Sequence, residues 1–174
     1  SPSSAASDVY KRQKYYGVRL TEKGRKHAAR ILRAHRIFEV FLYETLGMGF
    51  SEVHEEACKV EHALSSVVVD KLGNFLGNPR NCPHGNPIPT RSLDIAWPND
   101  IPMSEAGTGV HTVSRIAYET TEILRIIASI GLRPRTRITV QNINIRKGIV
   151  VIIINGKSHV LPISLARIVH VRPP

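Results

Sequence analysis

Cysteine is scarce in this chain, with Cys58 and Cys82 the only two among 174 residues. That rules out a disulfide framework and leaves each sulfur as a thiol, able to bind a soft metal or simply to sit buried. Long apolar runs are also missing. Nothing approaches the roughly 18 residues of a membrane-crossing helix, and IVVIII (Ile149 to Ile154) reads as a buried strand. The opening SPSSAASDVYKRQ has no apolar centre of the kind a secretory leader carries. A soluble cytoplasmic protein with no membrane partner is expected. Acidic residues are few, 14 against 24 Lys and Arg, for a net charge of +10. Such an excess favours a polyanionic partner, nucleic acid being the usual one. The charge is densest in the first quarter, where Lys11, Arg12, Lys14 and Arg19 precede Lys23, Arg25, Lys26, Arg30, Arg33 and Arg36. There is no internal repeat, no low-complexity tract and no glycine-rich phosphate loop. HEEAC (His54 to Cys58) is not the H-E-x-x-H of a zinc hydrolase, because Cys58 stands where the second His belongs. Neither an enzyme nor a small-molecule substrate is expected.

Periodicity and punctuation predict an α+β chain of several domains. Ser1 to Gln13 reads as a helix with Pro2 in its first turn, and Tyr15 to Leu20 as a short strand. A long helix should open at Thr21 and end by Gly47, packing through Ala28, Ile31, Leu32, Phe38 and Leu42. A second should run from Ser51 to about Leu76, with Val53, Ala57, Val60 and Leu64 as its apolar stripe. Prolines 79, 83, 87, 89, 98 and 102 mark Gly77 to Gly109 as an ordered linker without regular elements. Beyond it, short β-rich runs (VHTVSRIAY, TRITVQNINI, GIVVIII, SHVLPI) and one helix, TTEILRIIASIG, predict a small barrel.

The segment VHEEACKVEHAL carries the chemistry. His54, Cys58, Glu61 and His62 fall within about 100° of one another on the predicted helix, beside its packing face. A lone helical His is more often solvated or hydrogen-bonded than metal-bound. Here, however, a thiol stands among imidazoles and a carboxylate, which is a donor set suited to a transition metal. The preceding helix presents His35 and Glu39 one turn apart on one face. Two adjacent helices could therefore supply one or two metal sites.

The stretches YYGVRLTEKGRKHA, LRAHRIFEVFL, VHEEACKVEHALS and CPHGNPIP, taken in order from about residue 15 to 90, resemble the iron-dependent repressors, the diphtheria toxin repressor family. A weaker match continues through the last 65 residues or so, which resemble that family's SH3-like domain. The resemblance implies a partial winged helix-turn-helix at 1–20 and an all-α metal-binding and dimerisation domain at 21–86. A proline-rich linker at 87–106 and a small SH3-like β-barrel at 107–174 would follow. It also implies a homodimer that binds double-stranded operator DNA and represses transcription when divalent metal is bound.

By position, the resemblance assigns a primary metal site to Cys58, Glu61 and His62. An ancillary site falls to His35, Glu39, His54, Glu119 and Glu122, where a relative has Gln in the last position. Sulfur at Cys58, where the manganese-sensing branch has a carboxylate, favours Fe(II); Mn(II), Co(II), Ni(II) and Zn(II) are the alternatives. Arg36 and Asn86 match two residues of a family anion site, whose Ser position is Cys82 here. Ser3, Ser4 and Ser7 would approach bases or phosphates, and Lys11 and Arg12 the DNA backbone. Phe38, Leu42, Val60 and Leu64 are candidates for the dimer face, equally explicable as core within the domain. The family's opening helices, with a Met ligand to the primary metal, have no counterpart before Ser1, and further residues are expected between SPSSAASDVYKR and QKYYG. On that comparison the primary site is one ligand short and the DNA reader incomplete. A manganese or zinc sensor of the same fold, or a metal-buffering or interaction module that does not bind DNA, remain the other readings.

Overall fold

The computed structural model describes residues 10–13 and 17–173. The chain opens on an antiparallel hairpin, β1 (Tyr10–Gln13) with β2 (Gly17–Leu20), in which Lys11 lies opposite Arg19 and Arg12 opposite Val18. This corrects the helix expected through Gln13. Ser3, Ser4 and Ser7 lie outside the described residues. Thr21 then caps α1 (Glu22–Val40), its hydroxyl accepting from the Gly24 N–H at 3.1 Å. Such a cap contributes about 1 kcal/mol.

The buried stripe of α1 is not the predicted one. Ala28 is exposed and Ile31, Leu32 and Phe38 are half-buried, whereas Ala34, Ile37 and Val40 form the core with Val69, Cys82 and Ile88. Counting apolar residues missed this face because it also carries Arg33, His35, Arg36 and Glu39, all buried. Arg33 donates to the Pro89 carbonyl at 2.8 Å and to Asp70 at 3.0 Å, and Arg36 donates to the Pro87 carbonyl. Neither guanidinium belongs to a free basic surface. α1 runs into a π-helical turn, Phe41–Thr45, which buries Leu42 within the chain.

The long second helix is in fact two. α2 (Val53–Val60) follows Glu52, not a Ser51 cap, and buries Val53 and Ala57. A tight turn, with Ala63 N–H on the Val60 carbonyl at 2.9 Å, ends it. The Ser65 hydroxyl starts α3 (Ser66–Phe75) by accepting from the Val68 N–H. Polar Ser65 and Ser66 offer the backbone a cap, which competes with continuing the helix.

The proline-rich stretch is ordered, though not free of regular structure. β3 (Ile101–Pro102) and a 3-10 turn at Met103–Glu105 lie within it, and Met103 is fully buried. An antiparallel sheet follows, with spatial order β3, β8 (Val169–Arg172), β4 (Gly109–Ile116), β5 (Arg137–Asn144), β6 (Ile149–Ile154), β7 (Lys157–Pro162). β4 pairs with β8, and β5 with β6, through register shifts of the kind that bend strands. IVVIII alternates between buried and half-buried residues, so only one face is fully covered. α4 (Thr121–Ser129) packs Leu124 and Ile127 into this second core, and α5 (Ile163–Ile168), which was not foreseen, adds Leu165 and Ala166.

Two features fasten the helical part to the sheet. Phe50, just before α2, lies in the sheet's core, and the loop Cys82–Pro89 lies against the end of β4. There the Ile116 N–H donates to the His84 carbonyl at 2.9 Å, and the Asn86 amide to the Ile116 carbonyl at 2.7 Å. Gly85, at φ +87°, is required at this contact, since a Cβ would come within 2.3 Å of the Ser114 carbonyl oxygen. Trp97 lies between the guanidinium groups of Arg36 and Arg115, 5.8 and 5.3 Å from its ring centroid.

Arg115 also makes a two-pronged bond to Asp100, through Nε at 3.0 Å and Nη2 at 3.1 Å, with His170 Nδ1 at 2.9 Å. Burial pushes the Asp100 carboxyl up, but bonds from Arg115, Ser114 and His170 outweigh this and hold it below its ordinary value. Its contribution to stability is therefore present above the ordinary carboxylate range and lost as pH falls through the depressed value. Asp100→Ala should cost about 2 kcal/mol, because it removes the carboxylate that pairs a largely buried guanidinium. Asp100→Asn should remove part of the acid-induced loss of stability, and an unchanged thermal midpoint-versus-pH curve would contradict this reading.

Candidate metal centre

Three elements that are remote in sequence converge beneath the helices. His35 and Glu39, i and i+4 on α1, face His54 on α2, and Glu119, from the β4–α4 connection, closes the group. Ligand atoms of these four side chains all lie within 4.8 Å of one another. His35 Nε2 is 3.0 Å from Glu39 Oε1 and 3.1 Å from His54 Nδ1. His54 Nδ1 is 3.3 Å from Glu39 Oε1 and 3.6 Å from Glu119 Oε2. Glu39 is completely buried.

The other expected ligands are placed differently. Glu122 is exposed and outside the group. Glu61 points back at α1, its Oε2 2.6 Å from His35 Nδ1. With the proton on Nδ1, His35 donates to Glu61 and turns Nε2 toward Glu39 and His54, the second carboxylate acting as an orienter. Cys58 gathers with His35 and His54, Sγ lying 3.7 Å from His54 Nε2. His62 is exposed and meets Glu61 Oε1 at 3.3 Å. Among the described residues, Cys58, Glu61 and His62 do not themselves close to within 4.8 Å. Arg36 and Asn86 likewise have other work, Arg36 on the Pro87 carbonyl and Asn86 on the Ile116 carbonyl and Glu119 Oε1.

One further residue, His84, went unnoticed as a ligand in the sequence, and it joins Cys82, whose thiol was left open between soft ligand and buried side chain. His84 and Cys82 bring their ligand atoms within 4.8 Å of Glu39 and Glu119 on the far side of those carboxylates. The signal was CPH, a Cys and a His two apart in a proline-flanked loop.

The electrostatics suit a cation. Burial opposes ionisation of Glu39, yet hydrogen bonds from His35 and His54, and the His84 imidazole close by, hold its carboxyl well below the ordinary range. Burial lowers the His35 imidazole, and Glu39 and Glu61 more than offset it. Burial raises the Cys82 thiol to about 12. Glu39 Oε2 is buried with no hydrogen-bond partner, an arrangement that is costly unless something else completes it. Carboxylate and imidazole donors around an uncompensated buried oxygen fit a divalent transition metal.

Comparison with known proteins agrees. Residues 21–90 match the family described as "Iron dependent repressor, metal binding and dimerisation domain". The iron-dependent repressor IdeR of Mycobacterium tuberculosis is 35% identical over 170 residues, covering 88% of this chain and 72% of the relative. The diphtheria toxin repressor of Corynebacterium efficiens is 32% identical over 169 residues, covering 88% and 70%. A solved manganese-dependent transcriptional repressor, in complex with manganese, superposes with a TM-score of 0.87 at 31% identity, over 96% of this chain and 78% of that one. The similar proteins are metal-dependent transcriptional repressors, not enzymes. The chain belongs to the iron-dependent repressor family.

Metal should stabilise the protein. At a free Mn(II) concentration of about 100 times Kd, the unfolding free energy should rise by about 2.7 kcal/mol. His54→Ala should lose most of that gain, each protein being compared with its own metal-free melting. An equal rise in both proteins, read by thermal melting, would show that Mn(II) binds elsewhere.

Proposed function

We propose that this chain is a cytoplasmic, metal-responsive repressor that binds operator DNA as a homodimer when a divalent metal, Fe(II) in the first instance, is bound. The observation that carries this reading is the convergence of His35, Glu39 and His54 from the helical part with Glu119 from the sheet-bearing part. When bound, the metal supplies one centre of positive charge to which both parts are ligated. His35 and His54 would hold it from the helices, and Glu119 would commit the β4–α4 connection to the same point. Asn86 keeps Glu119 in place, while Glu61 keeps His35 turned inward.

Cys58 favours Fe(II) over Mn(II), because a thiol can join His35 and His54 as a softer donor. The nitrogen–oxygen set without Cys58 suits Mn(II), which makes a manganese sensor the second reading. Cys58, Glu61 and His62 as a primary site would require Glu61 to leave His35.

The rest of the reading follows the family. β1–β2, directly before α1, is the wing of a winged helix, and Lys11 and Arg12 of β1 with Arg19 of β2 are its basic residues for phosphate contacts. The bent sheet of residues 107–174 is the SH3-like domain, 21–86 the dimerisation domain, and 87–106 the connection. Val67, Val68 and Phe75 on α3 are exposed, Phe75 by 69%, and form the apolar face a second copy would cover. Leu42 cannot serve there, being buried within its own chain.

The test is DNA binding by the full-length protein to duplexes selected from a random library, with Fe(II), Mn(II) or Zn(II) added without oxygen. Binding should need metal, respond at the lowest free concentration to Fe(II), and weaken at least tenfold in Phe75→Glu as the dimer dissociates. Equal binding in the presence of chelator would contradict the proposal.

A further inference from the structure

We propose that a cleft between the helical and the sheet-bearing parts, lined by Arg80, Arg133, Arg135 and Arg172, binds a small, multiply charged oxyanion, a polyphosphate or a tricarboxylate. The site makes no use of the metal centre, and neither Arg36 nor Asn86 lines it.

The cleft holds about 610 Å³, a size usual for small-ligand sites. Tyr43, Glu44 and Arg80 line it from the helical side, and Arg133, Arg135 and Arg172 from the sheet. Four guanidinium groups thus share one space with a single carboxylate, an excess of three positive charges. Among the described residues, none of the four has an ion pair or a side-chain hydrogen-bond acceptor. Arg133 alone has a ring contact, 5.0 Å from the Phe50 centroid. Other arginines of the same joint are spent within the chain, Arg33 and Arg36 on proline carbonyls and Arg115 on Asp100. The cations of the cleft are all arginine, whose planar fork matches two oxygens of a phosphate or carboxylate.

The turn that carries two of them is strained. The Thr136 N–H donates to the Arg133 carbonyl at 3.0 Å and closes the turn Arg133–Pro134–Arg135–Thr136. Proline suits the second position of such a turn, while a positive φ in the third favours Gly or Asn. Arg135 occupies that third position at φ +73°. The turn is pinned to β4, with the Arg135 N–H on the Val113 carbonyl at 2.8 Å and the Val113 N–H on the Thr136 carbonyl at 2.9 Å. A strained arginine in a fixed turn, aimed at three others, is accounted for by a ligand that uses its side chain.

DNA is the other polyanion to weigh. The hairpin β1–β2 precedes α1, and Tyr43 follows its end. At 1.5 Å per residue, roughly 30 Å of helix separates the hairpin from the cleft. A concave site at the far end of α1 suits a free small anion better than a duplex lying on β1–β2.

Calorimetry on the full chain, freed of metal over a chelating resin, tests the site without reference to the metal reading. Inorganic tripolyphosphate and citrate are titrated separately. One equivalent of at least one probe should bind; the tighter of the two names the ligand class, phosphate-bearing or polycarboxylate. Arg135→Gly, which relieves the positive φ and should melt no lower than the parent, should weaken binding at least tenfold, and Arg133→Gln likewise. Lys11→Gln, on the hairpin, should leave it unchanged. Binding of neither probe, undiminished affinity in both arginine variants, or an equal loss in Lys11→Gln overturns the site. Displacement of bound tripolyphosphate by one equivalent of a short random duplex would assign these arginines to DNA and overturn it as well.

Discussion

Glu39 carries a negative charge to a place with no solvent exposure, where one of its oxygens has no hydrogen-bond partner. An isolated buried carboxylate would escape the cost of desolvation by taking up a proton. Here the groups arranged around it keep it ionised: His35 from its own helix, His54 from the next, and His84 from the proline-rich loop. Each of these imidazoles is held in turn by Glu61, Glu119 or the Phe50 carbonyl. The packing of three elements that share no sequence neighbourhood thus depends on satisfying one carboxylate.

That dependence explains how the two cores are joined. The apolar contact between them is limited, with Phe50 reaching from the helical side into the sheet's core. Most of the joint is polar. The Cys82–Pro89 loop is hydrogen-bonded to the end of β4, and Trp97 stacks between arginines of the two parts. A polar joint of this kind can be tightened by a ligand that binds both faces, in the way a small differential affinity shifts a conformational equilibrium. Glu119 would give a metal its hold on the sheet-bearing part, and its position two residues before α4 would tie that hold to a rigid element.

Helix α1, its Thr21 cap and most strands of the sheet were legible in the sequence, because capping chemistry and apolar periodicity are local. So was the pairing of His35 with Glu39, one turn apart, and, through family resemblance, the arrival of His54 and Glu119. The break at Ser65 was not, since a helical period continues across it and only the competition between cap and helix ends the run. The buried stripe of α1 was misjudged because Arg33 and Arg36 are solvated by distant proline carbonyls that no local pattern reveals. Spacing marked Glu61 as a candidate ligand, but its contact with His35 on another helix is non-local and no spacing reveals it. Tyr10 to Gln13 were read as helix, whereas they are paired with Gly17 to Leu20, and pairing is a non-local property.

The central claim is that one metal centre binds the helical and the sheet-bearing parts together through Glu39 and Glu119. Hydrogen exchange, followed by mass spectrometry on the protein with and without Mn(II), tests it most directly. Peptides covering α1 and α2 and those covering Ala117 to Leu124 should slow together on adding metal, and both effects should vanish in His54→Ala. Protection confined to α1 and α2, with Ala117 to Leu124 exchanging as before, would mean that the metal never engages Glu119 and does not join the two parts.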